Sequence, residues 1–150
     1  KLKRQIRALN QTLIEDFAIS KPKIAVLGLN PHSGDGGVIG KEEIEIISPA
    51  ILELSNSGIL AFGPFPADSF FQPNKYKNFD AVVVMYHDQG LAPFKTIAYE
   101  KGVNYTAALP FIRTSPDHGV AYDIAGKNIA DEQSFSEAIF TAVKIFKNRN

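Results

Sequence analysis

The sequence contains no cysteine among its 150 residues. This excludes disulfide bonds, thiolate nucleophiles and cysteine-based zinc sites, and it is compatible with the cytoplasm. Lysine plus arginine equals aspartate plus glutamate at 16 each, so no overall field attracts nucleic acid or an anionic membrane. Any site for an anion must therefore be local.

Long apolar runs are also missing. No segment approaches the roughly 20 apolar residues that span a bilayer, and no secretory signal is recognisable. The apolar fraction of 45% is ordinary for a globular domain. The composition predicts a soluble, folded, cytoplasmic protein that binds neither nucleic acid nor a membrane.

The start of the chain lacks an initiator methionine and is basic. Lys1, Lys3, Arg4 and Arg7 crowd the first turns of a helix predicted over residues 2–18, where the helix dipole disfavours cations. We therefore expect the helix, or the chain before it, to continue upstream in the parent protein. A processed or tagged terminus with a frayed first turn is the alternative.

Helical and strand patterns alternate along the first 90 residues. After the first helix, strands are predicted at 23–29, at 59–62 and in the apolar run from Ala81, and a helix is marked by Ile44, Ile47, Ile51 and Leu54. This alternation predicts an α/β fold with a largely parallel sheet. Beyond it we predict a strand at 103–109, a loop at 110–117, a short helical stretch from 118 to 127 and a helix at 134–146. The last helix would pack through Phe135, Ile139, Ala142, Val143 and Phe146.

Two histidines directly follow predicted strands. His32 lies in the glycine-rich loop 30–37 and His87 ends the run AVVVMYHDQG, so both would lie at the carboxyl edge of a parallel sheet, where ligands bind. Two imidazoles at one edge can share a divalent ion, with a third ligand from Asp35, Asp88 or missing chain. The alternatives are a plain turn for the loop and unrelated polar roles for the histidines. Asp68 is predicted to cap a short helical segment, and a catalytic role is the alternative.

Three further polar residues lie in or near loops after the central strand. Lys95, Asn104 and Arg113 can bind an anion such as phosphate or carboxylate, and a guanidinium is suited to a two-pronged contact. The alternative is solvated surface. A G-x-G-x-x-G motif after a strand is absent, so a Rossmann dinucleotide site is unsupported.

The segment 118–130 resembles the cofactor loop of the β-decarboxylating dehydrogenases, the isocitrate and isopropylmalate dehydrogenases, which reads much like HG-x-A-x-DIAGK-x-IA. It departs from them at residues 120–122, where Val-Ala-Tyr replaces Ser-Ala-Pro. The motifs NPHSGDGG, PADSFF, MYHDQG, GVN and LPFIRTSPDHG, in this order, are similar to those of the 4-hydroxythreonine-4-phosphate dehydrogenase family of vitamin B6 biosynthesis. The resemblance runs from about residue 21 to near the C-terminus.

The resemblance implies a fold and a set of roles. The fold would be a three-layer α/β/α arrangement like that of isocitrate and isopropylmalate dehydrogenases. Residues 1–150 would form the C-terminal portion of a larger two-lobed enzyme, with a possible lobe change near 100–115. The implied roles are His32 and His87 as metal ligands; Lys95, Asn104 and Arg113 as substrate-binding residues; and His118, Gly119, Ala121, Asp123, Gly126 and Asn128 as cofactor-binding residues. Lys95 and Asp88 are the candidate catalytic residues. Asp88, next to a proposed metal ligand, would orient that ligand or relay a proton, and a hydrogen bond to the backbone is the alternative.

The implied activity is oxidation and decarboxylation of 4-hydroxythreonine 4-phosphate with NAD or NADP and a divalent metal such as Zn, Mg or Co. A homodimer with its active site at the interface is implied as well. The family's third metal histidine lies upstream of anything in this sequence, so the isolated chain is expected to be inactive. A paralogue acting on threonate or erythronate 4-phosphate, and a folded, dimerising but non-catalytic chain, are the alternatives.

Overall fold

The computed structural model describes residues 1–98, 101–117 and 119–150. Six α-helices and five strands occur in these ranges. The helices are α1 (Leu2–Glu15), α2 (Ser48–Asn56), α3 (Ala67–Phe70), α4 (Pro73–Tyr76), α5 (His87–Ile97) and α6 (Gln133–Arg149). The strands are β1 (Lys23–Leu27), β2 (Leu60–Phe65), β3 (Ala81–Val83), β4 (Val103–Tyr105) and β5 (Thr114–Pro116). Short 3-10 turns cover Pro31–Gly37 and Tyr122–Ile124, and a π-helical turn covers Glu43–Ile47.

Strand β1 is the centre of a parallel three-stranded sheet in the order β2-β1-β3. Its residues Ile24 to Leu27 are completely buried, because strands pair along both of its edges and side chains cover both of its faces. The partner strands are less buried: β3 has only three residues, all half-buried. The predicted α/β fold with a parallel sheet is therefore confirmed.

The two faces of the sheet carry different cores. Alternate residues of a strand point to opposite faces, so Ile24 and Val26 pack against Ile6 of α1 and Leu54 of α2. Ala25 and Leu27 pack on the other side against Phe70. The aromatic rings on that side meet edge-on or tilted, with Phe65 and Phe70 centroids 5.3 Å apart. Helices thus cover both sides of the sheet.

A separate antiparallel pair, β4 and β5, follows the parallel sheet. Asn104 pairs with Ser115, and Thr114 Oγ1 donates to the carbonyl of Ala138 in α6 at 2.9 Å. The predicted loop at 110–117 is therefore wrong at β5, and the strand predicted at 103–109 ends at Tyr105. Strand β5 exists because it pairs with β4, from Tyr105 with Thr114 to Val103 with Pro116, and the local pattern of residues 110–117 does not specify this pairing. The lobe change near 100–115 stays a prediction.

The predicted inner face of the last helix is wrong. Helix α6 buries Ala138 and Ile145, whereas Phe135, Ile139, Val143 and Phe146 are 46% to 62% exposed. The helical period identifies an apolar stripe but not the element that covers it. The hydrogen bond from Thr114 to Ala138 instead turns a neighbouring side of the helix toward β5.

The basic start of α1 has partners in the folded chain. Lys3 Nζ lies 2.6 Å from Glu53 Oε2, and Arg7 Nη2 lies 3.5 Å from Glu53 Oε1. These side chains are about half exposed, so each pair contributes little to stability. Within the described ranges, no helix has the length and apolar character needed to cross a membrane.

The carboxylate of Asp16, just after α1, links this N-terminal helix to the end of α6 near the C-terminus. Asp16 is 2% exposed and accepts hydrogen bonds from Arg149 Nε at 2.5 Å and Arg149 Nη2 at 2.9 Å. The hydroxyl of Tyr105 donates to the same carboxylate. The bonds from Arg149 lower the pKa of Asp16, outweighing burial, which raises it.

Replacing Arg149 by methionine leaves the Asp16 carboxylate buried without its cation. We expect Arg149→Met to lower the free energy of unfolding by about 3 kcal/mol at neutral pH, measured by urea denaturation. The lowered pKa of Asp16 stabilises the fold above about pH 4, and this contribution is lost as the pH falls through the folded-state pKa. The difference in free energy of unfolding between the wild type and the variant should therefore shrink in acid.

The exposed control Lys147→Met should change the free energy of unfolding by less than about 0.5 kcal/mol. An equal loss in both variants would contradict the role assigned to Arg149.

Candidate functional site

The loop after β1 has an unusual backbone. Six consecutive residues from His32 to Gly37 have positive φ, among them His32 at 53°, Ser33 at 52° and Asp35 at 46°. Residues other than glycine in this left-handed region are strained, and such strain persists only where the surroundings hold it. His32 and Asp35 are both exposed. The sequence left open whether this loop is a plain turn or part of a site. The structure adds that the surroundings hold its backbone in a strained conformation.

Glu43 in the π-helical turn lies beneath this loop. It is 2% exposed, and its Oε1 accepts the backbone N–H of Asn30 at 2.7 Å while Oε2 accepts Asn30 Nδ2 at 2.9 Å. Burial raises the pKa of Glu43, but the bonds from the side chain and backbone of Asn30 outweigh it and leave the pKa below its usual value. No sequence motif identified Glu43 as a functional residue. Its spacing from the apolar Ile47 nevertheless places both residues on the buried face of the same helical turn.

Gln89 ties the second histidine segment to β1. Its Oε1 accepts the backbone N–H groups of Met85 at 2.9 Å and Tyr86 at 3.3 Å. Its Nε2 donates to the carbonyl of Gly28 at 3.1 Å. The turn before His87 is therefore fastened to the residue that follows β1. No motif in the sequence singled out this role.

A cleft of about 470 Å³ lies between the two segments. Polar side chains from separate elements converge on it: His32 from the loop, Asp68 from α3, and Tyr86 and Gln89 from the start of α5. Asp68 lies in the first turn of α3 rather than at its cap position, which Pro66 occupies. The capping role predicted for Asp68 is wrong, and Asp68 lines the cleft instead.

His87 begins α5 and does not line the cleft. Its Nδ1 lies 2.7 Å from Oδ1 of Asp88, and both side chains are at least 80% exposed. A carboxylate at one ring nitrogen fixes the ring and leaves the other nitrogen available. Among the residues that the structure describes, no three histidine, aspartate or glutamate side chains are grouped as a metal site. The metal-binding roles of His32 and His87, and the catalytic role of Asp88, remain predictions.

The predicted anion-binding residues have separate partners. Lys95 Nζ lies 3.3 Å from Asp117 Oδ2, and Arg113 Nη1 donates to Thr106 Oγ1 at 2.8 Å. Asn104 is exposed in the middle of β4. The hairpin of β4 and β5 orders Asn104 and Arg113, while Lys95 lies on α5. The pair between Lys95 and Asp117 joins α5 to the end of this hairpin.

The predicted cofactor segment is an exposed loop around the turn Tyr122–Ile124. Ala121, Gly126 and Asn128 have positive φ at 48°, 73° and 55°. A shallow cavity of about 510 Å³ is lined mostly by apolar residues, and Ala121, Gly126 and the polar Asn128 are among them. Gly119 and Asp123 lie in the same stretch, and His118 lies outside the described residues.

The fold and the cleft define a class: an α/β protein whose polar groups gather at the carboxyl edge of a parallel sheet, in the position typical of ligand-binding sites. Residues 1–142 match the family model described as pyridoxal phosphate biosynthetic protein PdxA, and the chain belongs to this family.

Named relatives agree with this assignment. The chain is 54% identical over 148 residues to the 4-hydroxythreonine-4-phosphate dehydrogenase of Bacteroides thetaiotaomicron, and the matched region covers 99% of this chain and 41% of that protein. The solved 4-hydroxythreonine-4-phosphate dehydrogenase from Klebsiella pneumoniae gives a TM-score of 0.79 at 39% identity, over 96% of this chain and 44% of that one. Terephthalate 1,2-cis-dihydrodiol dehydrogenase from Burkholderia xenovorans gives 0.71 at 33% identity, over 95% and 45%. The chain thus spans less than half the length of these proteins.

Two glycines of the His32 loop offer a matched test of its packing. A Cβ at Gly34 would lie 2.6 Å from the carbonyl oxygen of Gly40 and 2.7 Å from Glu43 Oε2, whereas a Cβ at Gly36 meets no described atom within 4 Å. Both have positive φ, so Gly36→Ala should cost about 1 kcal/mol from backbone strain alone. Gly34→Ala should cost at least about 2 kcal/mol more because of the clash. Thermal and urea unfolding measure both, and equal losses would contradict the packed loop.

Removing the Gln89 amide should loosen the turn before His87. We expect Gln89→Leu to cost about 2 kcal/mol in urea denaturation, since two backbone N–H groups and the Gly28 carbonyl lose their partner. Gln5→Leu, at an exposed position of α1, is the control and should change stability by less than about 0.5 kcal/mol. A Gln89→Leu variant as stable as this control would show that water replaces the amide without loss.

Proposed function

We propose that this chain is part of an enzyme that oxidises and decarboxylates 4-hydroxythreonine 4-phosphate to 3-amino-2-oxopropyl phosphate in pyridoxal phosphate biosynthesis. NAD or NADP would accept the hydride, and a divalent metal would assist. The family match over residues 1–142 carries this proposal. The cleft that places His32 beside Asp68, Tyr86 and Gln89 supports it, because it supplies polar groups of several chemical types at one edge of the sheet.

Imidazole and carboxylate are donor groups that suit a divalent transition metal. His32 and His87 would hold the ion, and the Asp88 carboxylate near His87 Nδ1 would orient that ring with Nε2 free for coordination. When bound, such an ion supplies Lewis-acid stabilisation of negative charge on substrate oxygens. A third ligand would come from outside the described residues, from further chain or from a second subunit of the proposed homodimer.

The cationic residues would orient the substrate. Lys95 and Arg113 already contact polar groups at Asp117 and Thr106, and in the proposed enzyme they would exchange these contacts for the phosphate or carboxylate of the substrate. Asn104, which is exposed in β4, would donate a hydrogen bond to the substrate or accept one from it. Holding the substrate by several groups fixes the reacting carbon relative to the nicotinamide, which lowers the entropic part of the barrier. Lys95 and Asp88 are the proposed catalytic residues.

The cofactor would bind at the segment 119–128 together with His118. The small residues and left-handed backbone at Gly126 leave space for close approach of a ligand, since a Cβ there would meet no described atom within 4 Å. Gly119, Ala121, Asp123, Gly126 and Asn128 are the proposed contacts. We also place the enzyme in the cytoplasm, as suits a biosynthetic protein.

Two other functions compete with this one. The solved dehydrogenase from Burkholderia xenovorans, named for a terephthalate dihydrodiol, has the same fold at 33% identity, so the fold alone does not select the substrate. A paralogue acting on threonate or erythronate 4-phosphate would share most of these residues. A folded, dimerising chain without turnover is the second alternative, and it is motivated by the lack of a third metal ligand among the described residues.

Cation binding and turnover together test the proposal. We expect calorimetric titration with Zn²⁺ to show one site in the chain whose affinity falls at least about tenfold in His32→Ala and in His87→Ala, since each change removes a ligand. An affinity that neither substitution alters would refute the metal assignment.

Turnover is followed as reduction of NAD or NADP with 4-hydroxythreonine 4-phosphate, and with threonate 4-phosphate in parallel. The full-length enzyme of Bacteroides thetaiotaomicron serves as the positive control. We expect turnover by that enzyme and none by the isolated chain, because the residues that the structure describes include no group of three metal ligands. Turnover by the isolated chain would overturn this account of its incompleteness, and a preference for threonate 4-phosphate would favour the paralogue.

A further inference from the structure

The loop that carries His32 is supported from below by one buried carboxylate. Glu43 is 2% exposed, and both of its oxygens accept hydrogen bonds from Asn30, which is the residue at which the loop begins. A second carboxylate, that of Glu42, accepts Asn30 Nδ2 at 2.8 Å. Asn30 therefore has its backbone and its side chain fastened to the segment 42–43.

The same carboxylate lies against the glycines on either side of Asn30. A Cβ on Gly28 would lie 3.1 Å from Glu43 Oε1, and one on Gly34 would lie 2.7 Å from Glu43 Oε2. Glycine at these positions allows the carboxylate to sit directly between the end of β1 and the middle of the loop. Glu43 thus contacts the loop at its start and at its buried centre.

The loop needs such support. His32, Ser33 and Asp35 have φ between 46° and 53°, each of which costs free energy for a residue with a Cβ. A relaxed backbone would point the His32 imidazole elsewhere, because the side-chain direction follows from φ and ψ. Hydrogen bonds to an ionised group are stronger than neutral ones, so a buried carboxylate is well suited to hold this conformation.

We propose that Glu43 is a positioning residue for His32: its buried carboxylate binds Asn30 and packs closely against Gly34, and so fixes the strained loop that places His32 at the cleft. This inference rests on the proposed metal-binding function of His32. It assigns Glu43 no contact with the metal or substrate. Its role is to reduce the reorganisation that binding would otherwise require.

The test compares Glu43→Gln with two controls in the complete chain. Glu45→Gln removes a charge at an exposed position of the same turn, and Ile51→Val weakens the core of α2 without touching the loop. We expect Zn²⁺ affinity to fall about tenfold or more in Glu43→Gln, as is typical when a residue that orients a metal ligand is altered. Both controls should bind Zn²⁺ as the wild type does.

A spectroscopic readout separates positioning from general destabilisation. At saturating Co²⁺, the visible absorption spectrum reports ligand geometry and should change in Glu43→Gln but not in Ile51→Val, even though both variants are less stable than the wild type. Unchanged affinity and an unchanged Co²⁺ spectrum in Glu43→Gln would overturn the proposal. If Glu43→Gln does not fold, Asn30→Ala removes the side-chain half of the contact and should shift both readouts in the same direction, and unchanged readouts there overturn it equally.

Amide hydrogen exchange in the metal-free chain distinguishes failure of this inference from failure of the proposed function. If the wild type shows no Zn²⁺ binding that depends on His32, the proposed metal site is refuted. The proposal that Glu43 supports the loop is then tested by amide exchange alone. Faster exchange at Asn30 and Ile39 in Glu43→Gln than in Glu45→Gln supports this proposal, and equal exchange rates overturn it.

Discussion

Strand β1 is the constraint on which the rest of the structure depends. It is the only described strand that pairs in parallel with two neighbours, and its last four residues are fully buried. Burial on both faces leaves it no freedom to shift, because a one-residue slip would exchange the side chains of its two cores. The loop with His32 leaves from its carboxyl end, and Gln89 binds the carbonyl of Gly28 just beyond it. The geometry of the cleft therefore depends on the position of this strand.

Two buried carboxylates complete this framework by opposite means. Asp16 is paired with a cation, Arg149, and so joins the end of α1 to the end of α6. Glu43 instead receives uncharged donors from Asn30. An ionised group inside a protein is tolerated only when such partners satisfy it. Asp16 therefore fixes the ends of two helices relative to each other, and Glu43 fixes the start of the loop that carries His32.

Part of the lining of the cleft was predictable from the sequence, but its support was not. Both histidines were singled out because each follows an apolar run, which in a parallel sheet places a residue at the ligand-binding edge. His32 lines the cleft, whereas His87 does not, and their metal-binding roles stay predictions. Asp68 was predicted as a cap and instead lines the cleft, since the approach of α3 to the loop is a long-range contact. Gln89 acts through hydrogen bonds to a residue 61 positions away, and no local pattern encodes such a pair.

By itself, the sequence determined the alternation of helices and strands, the parallel sheet and the order of the family motifs, because these depend on local periodicity and on residue types at short spacing. The tertiary structure alone decided the pairing of β4 with β5, the exposure of the apolar face of α6, the left-handed course of the His32 loop and the partners of Asp16 and Glu43. Each of these depends on groups brought together from distant parts of the chain, and their free energies arise only once the segments have met.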